Sequence, residues 1–311
     1  MTDPTNGPVV VGVDFSTPSD AAVAYGAWEA AVQHRSLTVL HGYDSLAGGV
    51  PPITGYEVAM THDAEARLAA IAARVREAHA GLDVTTRVWR GSGGRALVDI
   101  SSEAALVVVG ARGHGGFRHL LVGSVAGQVT AHALCPVVVV RQHLDDRPAD
   151  PIGAKPGVGP VLVGVDGSGY SRDAIDFAFA EASRRDTSLI AVTVWGSPDT
   201  TGLGGGRAWG DDAAEWQGRM EQDAHRALSE ALAGAGERYP EVEVVRQTVH
   251  DVSASHALMV AGDRVGAALT VVGSRGHGGF AGLMLGSVSQ ELVSHGLSTL
   301  AVVRPEKHPL D

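Results

Sequence analysis

Glycine, arginine and serine recur at fixed spacing in two parts of this chain, and their types and order have a clear chemical use. Residues 105–117 read ALVVVGARGHGGF and residues 268–280 read ALTVVGSRGHGGF, so 11 of 13 positions are identical. In each copy, nine residues separate the second glycine from a Gly-Ser pair. This pattern predicts a phosphate site, because glycines let backbone N–H groups approach oxygens closely and a helix start offers unpaired N–H donors.

The two copies supply matching candidates for phosphate contact. They are Gly110, Arg112, Gly113, Gly123 and Ser124 in the first copy, and Gly273, Arg275, Gly276, Gly286 and Ser287 in the second. Each serine is expected to cap its helix through the side chain, and Ser287 with Gln290 fits a capping box. Each arginine could pair with a phosphate or simply be exposed on a loop. The plainer alternative is that the glycines only form turns and caps.

Short valine-rich runs and longer alanine-rich stretches must position these loops. The runs predict five strands in each half, at 9–13, 37–40, 84–89, 106–109 and 137–140, and again at 161–165, 189–194, 242–249, 269–272 and 300–303. Helical spacing is clearest at 19–33, 64–80, 173–183 and 213–232, and residues 125–133 follow the first Gly-Ser pair. Strands of this kind are covered on both faces. The alternation predicts an α/β fold with helices on both faces of a parallel sheet, and long loops at 44–61 and 196–210.

An aspartate ends the first strand of each half, at Asp14 and Asp166. If the strand order is 3-2-1-4-5, ligands bind beyond the carboxyl ends of strands one and four, where the order reverses. The carboxylate would then accept hydrogen bonds from a nucleoside or face a bridging Mg²⁺. Its alternative role is to cap the turn into the first helix.

Length, composition and charge limit the remaining choices. The 311 residues predict two domains, at 1–145 and 160–311, joined by a linker at 146–159 in a stretch rich in proline and glycine. With 44% hydrophobic and 19% charged residues, the chain is neither disordered nor a coiled coil. A net charge of -11 argues against nucleic acid and anionic membranes as partners. No targeting or membrane-spanning run is evident, so we expect a cytoplasmic location. The histidine spacing predicts no direct metal site.

The duplicated glycine motif and the aspartate after strand one resemble the ATP-binding type of the universal stress protein family, over nearly the whole chain. The resemblance implies two tandem open five-stranded parallel sheets of order 3-2-1-4-5, of the adenine nucleotide alpha hydrolase-like type. It also implies bound ATP and homodimers formed partly through the last strand. A proline often found in that strand stands at Pro136 in the first copy but is replaced by Thr299 in the second.

Carried over by position, the resemblance implies a nucleotide site in each half. The first would be lined by Gly12, Asp14, Gly42, Gly110, Gly113, Gly123, Ser124 and Val125, and the second by Gly164, Asp166, Val194, Gly273, Gly276, Gly286, Ser287 and Val288. Gly42 and Val194 follow the second strands, where similar proteins meet the adenine edge. The backbone of such a loop binds a phosphate group but does not distinguish how many phosphates the ligand has. ATP, AMP and a cyclic nucleotide therefore all remain candidate ligands.

These observations predict an ATP-binding regulatory or sensor protein in stress adaptation, with Mg²⁺ arriving on the nucleotide. Hydrolysis is expected to be slow at most, because no general base with a partner and no lysine-containing phosphate loop is evident. One alternative is a dimerising scaffold that binds no nucleotide. The other is a weak phosphohydrolase in which Asp14 and Asp166 act as metal ligands or nucleophiles.

Overall fold

Strand and helix alternate through both halves of the computed structural model, which describes residues 7–43, 54–113, 122–141, 152–153, 155–169, 171–196, 212–276 and 285–305. We call the half before the linker the first repeat and the half after it the second repeat. The first repeat contains β1 (Val9–Gly12), α1 (Thr17–Val32), β2 (Leu37–Tyr43), α2 (Thr54–Ala78), β3 (Val84–Arg90), α3 (Gly93–Ile100), β4 (Leu106–Gly110), α4 (Ser124–His132) and β5 (Val137–Val140). The second contains β6 (Val161–Gly164), α5 (Ser171–Arg185), β7 (Leu189–Trp195), α6 (Asp212–Arg238), β8 (Val244–His250), α7 (Ala254–Val265), β9 (Leu269–Gly273), α8 (Ser287–His295) and β10 (Leu300–Val303).

Contacts divide the chain into two units, of which the first comprises residues 1–158 and 293–302. Its strands follow the order β3-β2-β1-β4-β5-β10, and β1 to β5 run parallel to one another. The 3-2-1-4-5 order predicted for this half is therefore confirmed. β1 lies at the centre, and its three valines are fully buried, which explains why this strand reads as an unbroken apolar run.

Helices cover both faces of the first unit's sheet. Val10 packs in a cluster with Leu97 of α3 and Val129 of α4, whereas its neighbour Val11 points to the other face, towards α1. A Cβ built on Gly26 of α1 would lie 2.2 Å from a methyl carbon of Val11. Glycine at position 26 therefore lets α1 approach β1 closely, and this packing holds the turn between them in place.

The prediction of a separate, wholly parallel five-stranded sheet in each half is wrong in one respect. Within the first unit β10 pairs antiparallel with β5, with Leu300 opposite Val139 and Val302 opposite Val137. If β5 were an unpaired edge strand, its four valines and its backbone N–H and C=O groups would be prone to aggregation. Pairing with β10 covers this edge. Arg141, which follows β5, adds hydrogen bonds to the backbone oxygens of Val293 and Ser298.

The second unit comprises residues 159–292 and 303–311. Its parallel strands follow the order β8-β7-β6-β9, and Ser274 donates a 2.7 Å backbone hydrogen bond to Val303 beyond β9. The first three residues of β6 are fully buried, like those of β1. The strand that carries the second aspartate is thus central in its own unit.

Several boundaries differ from the sequence prediction. The loop expected at 44–61 is shorter, because α2 begins at Thr54 and a 2.7 Å hydrogen bond between the hydroxyls of Tyr43 and Thr61 ties this helix to β2. Most of the loop expected at 196–210 lies outside the described residues. The sequence reasoning also did not identify α3 and α7; α3 has only eight residues and begins with two glycines, a poor start for a helix. None of the described helices has the length and apolar character needed to cross a bilayer.

Candidate functional site

The turns that leave β1 and β4 lie side by side, because these two strands are neighbours in register. Gly12 of β1 lies opposite Val109 of β4, so the turn into α1 faces the loop that leads from Gly110 to α4. We call residues 110–123 the first glycine loop and residues 273–286 the second. In a parallel sheet this position, between strands whose helices go to opposite faces, is where ligands bind.

The aspartate of the first strand holds both its own turn and the glycine loop. Asp14 Oδ1 accepts hydrogen bonds from the backbone N–H of Ser16 at 3.0 Å and from its hydroxyl at 2.5 Å. Its Oδ2 points the other way, and a Cβ built on Gly113 would lie only 2.1 Å from it. The two oxygens of Asp14 therefore lie against different elements, Oδ1 against the turn into α1 and Oδ2 against Gly113.

The second repeat has the same arrangement with closely similar geometry. Asp166 Oδ1 accepts hydrogen bonds from the backbone N–H of Ser168 at 2.9 Å and from its hydroxyl at 2.6 Å. A Cβ on Gly276 would lie 2.4 Å from Asp166 Oδ2. One difference is exposure, since Asp166 is exposed and Asp14 is partly buried.

The glycines of the first loop differ in how strictly the structure requires them. A Cβ on Gly110 would lie 2.9 Å from the backbone oxygen of Pro18 in the first turn of α1, and Gly113 is restricted by Asp14. A Cβ on Gly123 would meet nothing closer than 3.6 Å, an ordinary contact. Two of the three glycines thus have a packing reason that sequence spacing alone could not reveal.

The start of each helix after the loop differs from the predicted serine cap. Gly123 is the N-cap of α4 with no side-chain cap hydrogen bond, and its carbonyl accepts the first helical hydrogen bond from Gly127. In the second repeat Gln290 donates to Gly286, so the cap again falls on the glycine and the proposed capping box with Ser287 is one residue out of place. The backbone N–H groups of the first turn still lack helical partners, and the serines are exposed beside them.

A short backbone hydrogen bond closes the base of each glycine loop. The N–H of Gly123 donates to Ala111 at 2.7 Å, and that of Gly286 donates to Ser274 at 2.8 Å. The helix start is thereby fixed next to the end of the strand. An anion at this point would meet N–H donors whose positions are set before it arrives, together with the positive end of the helix dipole.

In the second repeat these elements line a cavity of about 400 Å³. All nine residues proposed for this half lie in its wall, namely Gly164, Asp166, Val194, Gly273, Arg275, Gly276, Gly286, Ser287 and Val288. Sequence reasoning missed part of the wall, including Val192, Ala254 and Leu258. Val192 could have been found from its place near the end of β7, whereas Ala254 and Leu258 belong to α7, which was not predicted.

The first repeat places its nine proposed residues on the corresponding elements. Gly12 and Asp14 lie at the end of β1, Gly42 near the end of β2, Gly110, Arg112 and Gly113 at the end of β4, and Gly123, Ser124 and Val125 at the start of α4. The backbone near Gly42 is crowded, since a Cβ there would lie 2.5 Å from the Cα of Gly93. The wall formed by β2 and α3 therefore differs from its counterpart in the second repeat.

Arg141, which follows β5, interacts electrostatically with Arg112 of the first glycine loop. Burial, and secondarily the charge of Arg112, lower the pKa of Arg141 to about 10. Sequence reasoning missed Arg141, although an arginine follows the last strand in both repeats, at Arg141 and Arg304. His114 and His277 lie outside the described residues. Among the described side chains no group of three or more histidine, cysteine, aspartate or glutamate residues could hold a metal ion directly.

Comparison with known proteins adds a family to this geometry. The model of the universal stress protein family matches residues 5–141 and 157–304. A universal stress protein of Mycobacterium tuberculosis is 38% identical over 291 residues, which cover 92% of each chain. One from Mycolicibacterium smegmatis is 36% identical over 305 residues, covering 96% of this chain and 97% of the relative.

Solved structures share the fold. The crystal structure of a universal stress protein from Archaeoglobus fulgidus superposes with a TM-score of 0.68 at 20% identity, covering 97% of this chain and 98% of that one. A universal stress protein solved in complex with cAMP matches 48% of this chain and 98% of that one at 24% identity, with a TM-score of 0.33. The family match covers most of the chain in two tandem segments. The chain therefore belongs to the universal stress protein family.

Proposed function

We propose that this chain is a nucleotide-binding regulatory protein that holds an adenine nucleotide, ATP with Mg²⁺, at the carboxyl ends of its parallel strands. The observation that carries the proposal is the cavity in the second repeat, where a glycine loop, a helix start and apolar strand ends meet in one wall. A role in stress adaptation and a cytoplasmic location are part of the same proposal.

The wall of the cavity has the two chemistries that a mononucleotide needs. At one end lie the glycine loop and the start of α8, including Gly286 and Ser287. Backbone N–H groups there can bind phosphate oxygens even though the net charge of the protein is negative. At the other end Val192, Val194 and Leu258 form an apolar surface on which a flat base can pack. Ligand orientation follows from this separation, with the phosphates towards α8.

The aspartates fit a supporting role towards the metal ion. Mg²⁺ is usually held by one or two carboxylates together with nucleotide phosphates and water, and each repeat offers one carboxylate beside its glycine loop. The carboxylate of Asp166 lies beside Gly276 and in the wall of the cavity, so it is the group of this repeat that would approach the ion. Mg²⁺ bound in this way would neutralise part of the phosphate charge near the carboxylate.

Slow turnover at most is part of the proposal. The Oδ1 of each aspartate accepts two hydrogen bonds from the serine two residues further on, so this oxygen is already used to hold the turn into the helix. A homodimer is also proposed. Its interface cannot use the edge of β5, because β5 already pairs with β10. Any such dimer must form through another surface.

A charge change at the helix cap tests the proposed site without disturbing the fold. A Cβ on Gly286 would lie 3.4 Å from its nearest neighbour, and both aspartate and asparagine are good N-cap residues. We expect Gly286→Asp to weaken Mg-ATP binding in the second repeat by at least tenfold through repulsion of the phosphates. Gly286→Asn, of the same shape but neutral, should weaken it far less.

Calorimetric titration of the full-length protein with Mg-ATP measures both variants, and circular dichroism confirms that they are folded. Equal affinities for the aspartate and asparagine variants would contradict binding of phosphate at the start of α8. A flat titration of the folded wild-type protein would contradict the proposal itself.

A further inference from the structure

We infer that the two repeats are unequal nucleotide sites: the second is open to a complete mononucleotide, and the first is closed at its base end by a backbone contact. This inference rests on the proposed function and adds an order of filling to it. Nucleotide occupies the second repeat first, and the first repeat fills only at higher concentration because a turn must move.

The contact in the first repeat joins the end of β2 to the turn before α3. A Cβ built on Gly42 would lie 2.5 Å from the Cα and 2.7 Å from the N of Gly93, and 3.2 Å from the backbone oxygen of Gly91. The N–H of Gly91 donates a 2.8 Å hydrogen bond to Tyr43 at the end of β2. The turn thus rests directly on the strand, with no room for a side chain between them.

The second repeat separates the same two elements. Val194 takes the place of Gly42, and its side chain lies in the wall of the cavity together with Ala254, the first residue of α7. The hydrogen bond at the strand end is kept, since the backbone N–H of Asp251 donates to the backbone oxygen of Trp195 at 3.1 Å. The elements therefore part after this shared anchor.

An extra residue explains how they part. Leu97 and Leu258 are equivalent, because each places a methyl carbon at the Cβ position of the glycine that ends the first strand, at 2.5 Å from Gly12 and 2.9 Å from Gly164. From the last residue of the third strand to this leucine there are seven steps in the first repeat and eight in the second. The longer turn lets α7 start further from β7 and leaves room for Val194.

This difference falls at the base end and not at the phosphate end. The first eight residues of the two glycine loops differ at one position only, and both aspartates and both loop-closing hydrogen bonds recur. The phosphate ends should bind an anion alike, whereas a purine must displace residues 91–93 in the first repeat. The apparent affinity of the first repeat is its intrinsic affinity multiplied by the fraction of molecules in which the turn is displaced. We therefore expect Mg-ATP to bind the first repeat at least tenfold more weakly than the second.

Two titrations of the full-length protein test this inference. Mg-ATP should give a two-step isotherm, with one nucleotide per chain in the tight step. Inorganic tripolyphosphate with Mg²⁺, which has no base, should give two sites of similar affinity. Two equal steps with Mg-ATP would overturn the inference while leaving the proposed function intact, whereas the absence of any ATP binding would overturn the proposed function.

Matched variants assign the steps. Gly286→Asp should remove the tight Mg-ATP step, and Gly123→Asp, at the equivalent helix cap where a Cβ also fits, should remove only the weak one. The reverse assignment would overturn the inference. Val194→Trp, which fills the base end of the cavity, should abolish the tight Mg-ATP step yet keep tripolyphosphate binding; loss of both ligands in a folded variant would show that position 194 does not act through the base.

Discussion

The two repeats keep one end of the candidate site and vary the other. The glycines of the loop recur in both, and the aspartate packs against the loop in the same way, with its Oδ2 next to Gly113 in one repeat and Gly276 in the other. The end of the second strand differs, with Gly42 against a turn in one repeat and Val194 beside a cavity in the other. The part of the candidate site proposed to bind phosphate has therefore changed less between the repeats than the part proposed to meet the base.

The repeats also differ in aromatic packing behind the aspartate. Phe15 follows Asp14 with a left-handed φ of 64°, and its ring lies 4.3 Å from that of His41 and 4.1 Å from the guanidinium of Arg67. The second repeat has Gly167 at the position of Phe15, with a φ of 77°. The turn keeps the same unusual conformation in both, but in the first repeat a cation-π stack adds to its rigidity.

The largest effect should come from adding a methyl group where the aspartate meets the glycine loop. Gly113→Ala would bring Cβ to 2.1 Å from Asp14 Oδ2, and relief of such overpacking typically costs about 1–3 kcal/mol. Gly123→Ala, with its nearest neighbour at 3.6 Å, is the control and should lower the free energy of unfolding by only about 0.5 kcal/mol, because alanine is a poorer helix cap than glycine. Denaturant unfolding followed by circular dichroism measures both.

Removal of the carboxylate should then suppress the effect of Gly113→Ala. The double variant Asp14→Ala with Gly113→Ala should lose less stability than the sum of the losses in the two single variants. The difference, which is the coupling energy, should be about 0.5–3 kcal/mol. Strict additivity of the two changes would show that the contact between Asp14 and Gly113 is not the cause.

The next effect concerns the closed base end of the first repeat. Gly42→Ala would place Cβ 2.5 Å from the Cα of Gly93 and should destabilise the protein by about 1–2 kcal/mol. Gly93→Ala points its Cβ at Gly42 from 3.7 Å and should be nearly neutral or slightly stabilising, since alanine favours helix α3. Equal effects of the two substitutions in thermal or denaturant unfolding would contradict the contact described here.

A smaller effect is expected from charge beside the helices that start at the glycine loops. In the second repeat Glu291 of α8 accepts a 2.5 Å hydrogen bond from Ser255 of α7, while the first repeat has Gln128 against Gly94. Glu291→Gln should raise tripolyphosphate affinity in the second repeat by about twofold, since Glu291 lies past the first turn and the field there is weak. Gln128→Glu should lower it in the first repeat, and both shifts should shrink as salt is added.

The smallest effect is a pH response confined to the second repeat. A hydrogen bond from the backbone N–H of Ser253, and secondarily one with His256, hold the pKa of Asp251 below its ordinary value of 3.8. A lowered pKa means that the contribution to stability is present above about pH 4 and is lost as the pH falls through the lowered value. Amide exchange at the start of α7 should quicken there, and Asp251→Asn should remove the dependence.

The sequence predicted the strands and their order better than the short elements between them. Valine runs such as Val137 to Val140 have one structural use, in a strand covered on both faces. α3 begins Gly93-Gly94 and is eight residues long, so local preference argues against a helix that packing against β1 and β2 enforces. The antiparallel pairing of β10 with β5 depends on residues more than 150 positions apart, which periodicity cannot detect.

The candidate site was predictable at the phosphate end because the duplication isolates it. The serine caps were misplaced by one residue, since glycine at Gly123 and Gly286 can also serve as a cap. The base end depends on the length of the turn before Leu97 and Leu258 and on side chains of a helix that was not predicted. The one-residue difference in turn length is visible in the sequence, but its effect depends on how α3 and α7 pack on the strands, which sequence spacing does not specify.

The most direct test of the account is to denature the purified full-length protein and to identify and count the nucleotide that it releases. We predict an adenine nucleotide at close to one per chain, lost from Gly286→Asp and kept by Gly123→Asp. Release of no nucleotide, together with a flat Mg-ATP titration of the folded protein, would contradict the account.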